Sequence, residues 1–316
     1  MPQAALLSVV GRSVPAGAAG SWPEGEQRRR FILLMLAPAT ILLLGLTIVP
    51  FLVSLGFSFT NYALTAPDAI SFIGLRNYIA LFGSEQFWNA TRVTAVFTVG
   101  AVAVEMVLGV GIAALLHRET RAVPLLRLLY LLPLAITPVA AVFTFRIMLN
   151  PTLGVFNALL KRVDLQPVDW LGTPGMALSS LIMVDVWQWT PFVLLIAAGG
   201  LAALDEEPLE AAQMDGAGPL AVFFHHTLPM LFPYLAVALV FRGIDAFKTF
   251  DIVFVLTGGG PGIATRTLNL LAYKNGIEFL SMGYAAALSI VMLIVTLVAS
   301  QSFLRRARLF RPKAAL

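Results

Sequence analysis

The chain has 316 residues, 59% of them hydrophobic and 12% charged, a formal net charge of +4 and a mean hydropathy of +0.86. Charged residues make up about a quarter of a soluble domain, so this composition excludes an ordinary water-soluble fold and points to a membrane protein. There is no cysteine, which excludes disulfides, thiol nucleophiles and cysteine metal sites.

Residues 1–30 are rich in Ala, Gly, Ser and Pro, and their short apolar run precedes the basic cluster Arg28, Arg29 and Arg30. That order is wrong for a cleaved secretory signal, so a disordered cytoplasmic tail is expected. Beyond it, a membrane-crossing helix needs roughly 20 mostly apolar residues. Six windows qualify: Phe31–Leu55, Val93–Leu116, Leu125–Met148, Ala177–Leu201, Phe232–Val255 and Gly283–Phe303. The expected fold class is therefore an all-α membrane protein with six transmembrane helices over residues 31–305, followed by a basic tail at 306–316. The runs are continuous rather than alternating, which favours a helical bundle over a barrel. Pro38, Pro50, Pro133, Pro138 and Pro191 lie within the windows and predict kinks.

Positive charge divides the loops. Arg118, Arg121 and Arg127 follow the second span, and Arg305, Arg306, Arg308, Arg311 and Lys313 follow the sixth. The opposite loops hold only Arg76, Arg92, Lys161, Arg162, Arg266 and Lys274. By the positive-inside rule both termini are expected to be cytoplasmic. The same basic residues sit beside spans, where anionic lipid accounts for them, so no nucleic-acid partner is expected.

Along the chain, Asn89–Thr91 matches a glycosylation acceptor only at the level of chance. Glu105 stands alone in the second span and is expected to pair with a basic residue of another helix, with a substrate or gating role as the second reading. Trp187, Gln188 and Trp189 in the fourth span combine aromatic faces with an amide, which suits sugar rings; aromatic residues also mark bilayer interfaces.

The cytoplasmic loop 205–231 reads as two short helices and a turn. Glu207–Met214 has good helix formers with acids near its start, Gly216 and Gly218 allow a left-handed helix end, and Pro219 can open the next helix. Ala211 and Ala212 offer a small surface suited to another protein's groove, and an ordinary interfacial helix fits equally well.

The fifth span carries Arg242, Asp245, Lys248 and Asp251, charges of alternating sign at every third residue. Charge inside a membrane faces a water-filled path or a protein interior; a self-neutralising ladder is the other reading. Thr257–Thr265, TGGGPGIAT, lacks the Gly-Lys-Ser/Thr ending of a phosphate loop, so no ATP site is expected in this chain. His117, His225 and His226 are the only histidines, and no carboxylate at helical spacing completes a metal-ligand set.

The stretch EAAQMDGAG at Glu210–Gly218, followed by Phe223, Leu228 and Pro229, resembles the cytoplasmic loop of binding-protein-dependent ABC importer permeases. FIGLRNY from Phe72, FWNATRVT from Phe87, VDVWQWTPF from Val184, FDIVFVLTGGGP from Phe250 and GYAAALS from Gly283 are similar to the carbohydrate-uptake branch, first-permease type. The resemblance covers roughly residues 31–305. It implies the type I importer fold, with spans two to six as a core and span one reaching over a partner permease, in a bacterial inner membrane. It also implies the partners: a second permease in a heterodimer, two ATP-binding subunits that hold ATP and Mg so that this chain binds no cofactor and is not itself an enzyme, an extracytoplasmic substrate-binding protein, and a carbohydrate substrate. The loop then becomes a coupling helix, with Glu210 as polar contact, Ala211 and Ala212 as close-packing surface, Gly216 as turn residue, and Asp215 and Ala217 completing the motif. The translocation path draws on Arg242, Asp245, Lys248, Trp187, Gln188, Trp189 and Glu105. The loop departs from the family pattern in lacking basic residues around Phe223 and in placing His226 at a usually aliphatic position. An ion-coupled secondary transporter, using Glu105 and Asp245 as ion sites, is the alternative, although no internal repeat supports it.

Overall fold

The computed structural model describes residues 26–117 and 130–308. The tail at 1–25, Arg118, Arg121 and Arg127 of the second loop, the start of the third expected span and the basic end at 309–316 lie outside the described residues. The chain divides into two units between Val53 and Ser54. The first contributes most of helix α1, Glu26–Ser58, which contains Pro38 and Pro50 and is predominantly apolar from Phe31 onward.

In the second unit the helices are α2 (Arg76–Phe82), α3 (Glu85–Leu116), α4 (130–135), α5 (Pro138–Met148), α6 (Val155–Arg162) and α7 (Pro174–Ala202). They continue as α8 (Glu207–Met214), α9 (Pro219–Val222), α10 (Leu228–Phe247), α11 (Asp251–Leu256), α12 (Leu268–Tyr273) and α13 (Met282–Arg308). A π-helical turn, Phe223–Thr227, joins α9 to α10 without a break, and a second one, Lys274–Glu278, follows α12. Among the described residues five helices are long and apolar enough to cross a membrane: Arg29–Ser58, Glu85–Leu116, Pro174–Ala202, Pro219–Phe247 and Met282–Arg305. The fold is an all-α membrane bundle.

Two expected spans differ from continuous helices, each for a local reason. The third is interrupted at Ile136 and Thr137, because Pro138 opens α5 and forces the preceding Thr137 into an extended conformation. The Gln188 amide donates to the Ile136 carbonyl freed there, at 3.4 Å. The fifth stops at Phe247 and resumes at Asp251. Here the Asn269 amide donates to the Lys248 carbonyl at 2.6 Å, so the interruption leaves that acceptor satisfied, as a helix end inside a bundle requires.

Lipid offers no hydrophobic drive for one helix to bind another, so close approach through small residues does that work. A Cβ on Gly109 of α3 would lie 2.7 Å from Val193 of α7, and one on Gly200 of α7 would lie 2.6 Å from Leu231 of α10. These contacts hold α3, α7 and α10 together. One packed cluster, with Val110, Ala113, Leu194, Ala197, Leu201, Leu231 and Leu235, fills the ends of these helices nearest α8. A second, with Phe97, Val142, Phe145, Leu181, Val184, Ile252, Val253 and Leu270, fills the opposite half and seats α5 and α11.

Candidate functional site

The loop after α7 is built by its backbone. Asp215 ends α8, and Gly216 follows with φ +86°. The Gly216 amide donates to the Gln213 carbonyl and the Ala217 amide reaches back to Ala212, both at 3.0 Å. That pair of bonds is a Schellman motif, which a left-handed residue must close, hence glycine. Gly218 is extended and Pro219 starts α9. The motif sets which side chains point outward. Ala212 is buried and Ala217 half-buried, so Ala212 packs within the chain and is not the outward surface expected from the sequence. The exposed set is Glu210, Ala211 and Asp215 with three apolar residues, Met214 at 88% exposed, Leu220 at 75% and Phe224 at 57%.

The π-helical turn at Phe223–Thr227 begins directly after α9. His225 places Nδ1 3.0 Å from the Ala221 carbonyl, and His226 is half-buried. Such turns insert one residue into a helix and are common where helices do work.

The second feature lies inside the bundle. Arg242 of α10, 1% exposed, gathers three carboxylates. Its Nε donates to Glu105 of α3 at 2.6 Å, and one Nη donates to the other Glu105 oxygen at 2.8 Å and to Asp185 of α7 at 2.7 Å. The remaining Nη reaches Asp245, one turn along α10, at 2.6 Å. The guanidinium also lies 4.8 Å from the Trp189 ring centre, a cation–π contact. The fixed fork of the guanidinium is what allows one side chain to tie three helices.

Glu105 thus has the basic partner on another helix that its isolation predicts. Being fully buried, as Arg242 nearly is, it presents no surface to a path in this arrangement. The alternating ladder is half realised: Arg242 pairs with Asp245, whereas Lys248 and Asp251 flank the helix interruption and form no ion pair among the described residues. Asp185 is the third helix's contribution, and it is not among the candidates that the sequence alone offers from this stretch, Trp187, Gln188 and Trp189. The signal was available, since any carboxylate within an apolar window is costly.

Of the fourth-span trio, Trp187 is partly exposed and packs edge-on against Phe145, with ring centres 5.0 Å apart. Gln188 is 2% exposed, and its Oε1 has no partner among the described residues. Along α10 and its C-cap Lys248, the residues Tyr234, Val237, Phe241, Asp245 and Lys248 form one exposed stripe at helical spacing. An exposed carboxylate and ammonium on a span cannot face lipid cheaply, so this face meets water or protein.

The family model of binding-protein-dependent transport system inner membrane components matches residues 106–309. A probable ABC transporter permease protein of Sinorhizobium fredii is 39% identical over 96% of this chain and 97% of its own length. The trehalose/maltose transport system permease protein of Thermococcus litoralis is 36% identical over 88% of this chain and 94% of its own. Among solved structures, a bacterial ABC transporter involved in import of the acidic polysaccharide alginate shares the fold, with TM-score 0.78 at 22% identity, covering 89% of this chain and 96% of that one.

Proposed function

The chain belongs to the family of binding-protein-dependent transport system inner membrane components, and on that premise we propose that it forms half of the translocation pore of an ATP-driven carbohydrate importer. The observation that carries this reading is the Schellman-closed α8–α9 unit, which presents Glu210, Met214, Leu220 and Phe224 outward at the foot of α10. A rigid helix with an acid and a few large apolar residues fits a groove on another protein. The occupant of that role is an ATP-binding subunit, two of which hold ATP and Mg, and the loop faces the cytoplasm together with both termini. Ala211 and Asp215 share the docking face, while Ala212, Gly216 and Ala217 build the turn beneath it.

The carbohydrate reading rests on the trehalose/maltose relative and on the aromatic and amide groups of α7. A second permease subunit completes the pore, and an extracytoplasmic binding protein delivers the solute. Asp245 and Lys248 supply the accessible polar groups of the path, with Trp189, Arg242, Glu105 and Gln188 behind them, while Trp187 points the other way on α7, toward Phe145.

The test is purification of the tagged chain from its native membranes in mild detergent, with partner identification and an ATPase assay. A second permease and an ATP-binding subunit should co-purify, and Glu210→Lys should uncouple hydrolysis from uptake. A chain recovered alone and without ATPase activity would overturn the reading in favour of an ion-coupled transporter.

A further inference from the structure

The short helix α2 has a face that the bundle does not use. Leu75 at its N-cap, Ile79 and Phe82 follow one another at intervals of four and three residues and so share one side, at 61%, 72% and 48% exposure. Phe72, just ahead of the helix, is exposed as well. The opposite side is tied down. Leu81 is buried in a cluster with Phe87, Ala90, Leu271 and Leu288, and the Asn77 amide donates to the Ser58 and Thr60 carbonyls at 2.9 and 2.8 Å. The Tyr78 hydroxyl donates to Ser58 Oγ at 2.8 Å. Ahead of the helix the Ile73 amide donates to the Phe59 carbonyl, and Gly74 turns the chain at φ +61°. The three apolar side chains are therefore held outward by a backbone fixed on both flanks.

Depth decides what can cover them. α2 packs on α13, and Leu288, in the cluster that buries Leu81, lies roughly 9 Å along the axis from the start of α13 at Met282, at about 1.5 Å per residue. α2 thus lies alongside the first turns of a span instead of standing clear of them. Trp88, in the first turn of α3, donates its indole N–H to the Phe82 carbonyl at 2.8 Å and is itself exposed, as a tryptophan at a membrane–water boundary would be. From Trp88 the exposed surface runs down α3 through Val96, Val99, Ala103 and Val107, with Arg92 as its one charged member. α3 is long and apolar enough to cross a membrane, so the α2 face continues the apolar surface of a span. A patch built for a soluble protein would carry a polar rim along that edge.

We propose that α2 is an interfacial anchor. It lies along the headgroup–acyl boundary of the leaflet away from the α8 loop, with Leu75, Ile79 and Phe82 in the lipid. Arg76, exposed beside them, reaches the headgroup phosphates through its flexible stem. The anchor is joined to the end of α1 through Asn77 and Tyr78 and to α13 through Leu81.

Because the chain has no cysteine, Ile79→Cys gives it a single thiol for a bimane fluorophore, and Leu75→Cys serves if that variant fails to assemble. The whole complex that contains the chain is reconstituted into phosphatidylcholine vesicles, and the signal of the identically treated parent is subtracted. Three quenchers are compared: a lipid nitroxide near the headgroup, a lipid nitroxide near the chain end, and iodide in the water. The shallow nitroxide should quench several-fold more than the deep one, because an interfacial helix sinks its apolar face only about 5–10 Å. Iodide should quench several-fold less than it does bimane on a small thiol in solution. Full quenching by iodide would place the face in water, and shielding from all three quenchers would place it under a protein; either result overturns the anchor. Stronger quenching from the deep nitroxide would overturn its position at the boundary.

Discussion

Replacing Arg242 by Met removes the one cation at the junction of α3, α7 and α10 and leaves Glu105 and Asp185, at 0% and 2% exposure, without a counter-charge. Breaking a buried pair from one side costs about 3–5 kcal/mol, because the surviving charge stays desolvated. An interhelical hydrogen bond in a membrane averages only about 0.6 kcal/mol, so the two kinds of loss are separable by size. The measurement is helicity during SDS titration of the protein in mixed micelles. The triple variant Arg242→Met, Glu105→Met, Asp185→Leu deletes the buried charges together and should recover most of the lost stability, since apolar replacements of buried ion clusters are often neutral or better. A single variant within about 1 kcal/mol of the parent, or a triple variant no better than the single one, would refute the view that unpaired buried charge sets the cost.

The turn after α8 makes a graded prediction. Gly216→Asn should be tolerated, whereas Gly216→Val should cost about 1–2 kcal/mol or more for a left-handed β-branched residue, read as faster hydrogen exchange at the Ala217 amide. At the α3–α7 contact, Gly109→Leu should destabilise by about 1–3 kcal/mol through the clash with Val193, and Val193→Ala should partly rescue it in the same SDS titration. In the segment between α5 and α7, the buried Asn157 of α6 donates to the Pro151 and Val168 carbonyls and accepts from the Val168 amide and the Trp170 indole. Asn157→Leu strands those groups at about 1–3 kcal/mol for each that stays buried, and exchange across residues 151–170 should accelerate while the α3–α7 contact is unaffected.

Long apolar runs fix where the helices of this bundle fall, because a span must satisfy its backbone internally and hydropathy reports that demand. Interruptions are harder to read. Pro138 marks the break before α5, yet Pro191 lies inside an unbroken α7, so proline alone does not decide. The break after Phe247 has no proline; it depends on Asn269, distant in sequence, capturing the Lys248 carbonyl. The alanines of the α8 loop show the same limit. Exposure of Ala211 and burial of Ala212 follow from the phase of a single helical turn against α9, which no composition rule resolves. The partner of Glu105 was legible as a basic residue on another helix, but its identity as Arg242 needed the fold to bring residues 105 and 242 together.

One consequence concerns how a force at the α8 loop would reach the middle of the bundle. α9, the π-helical turn and α10 form one continuous helix from Pro219 to Phe247, so displacement of α9 acts directly on the segment that carries Arg242. Phe223 and Leu228 pack on the cluster that also contains Val110, Leu194 and Leu231, which joins α3 and α7 to the same movement. A packed interior passes such a displacement on rather than absorbing it. Further along, the Arg242 cluster clamps these three helices a second time, and two clamps at different depths make them move as a body rather than splay. The body ends where α10 stops. Beyond the interruption at Lys248–Phe250, α11 packs mainly on α5, within a cluster that also takes in Phe97 of α3, Leu181 and Val184 of α7 and Ala246 of α10. The break falls at the ends of two elements, which is where a few residues can take up a change in angle. Asp245 lies in the last turn of α10 and Lys248 directly beyond it, so the two charged members of the exposed stripe stand on either side of that boundary.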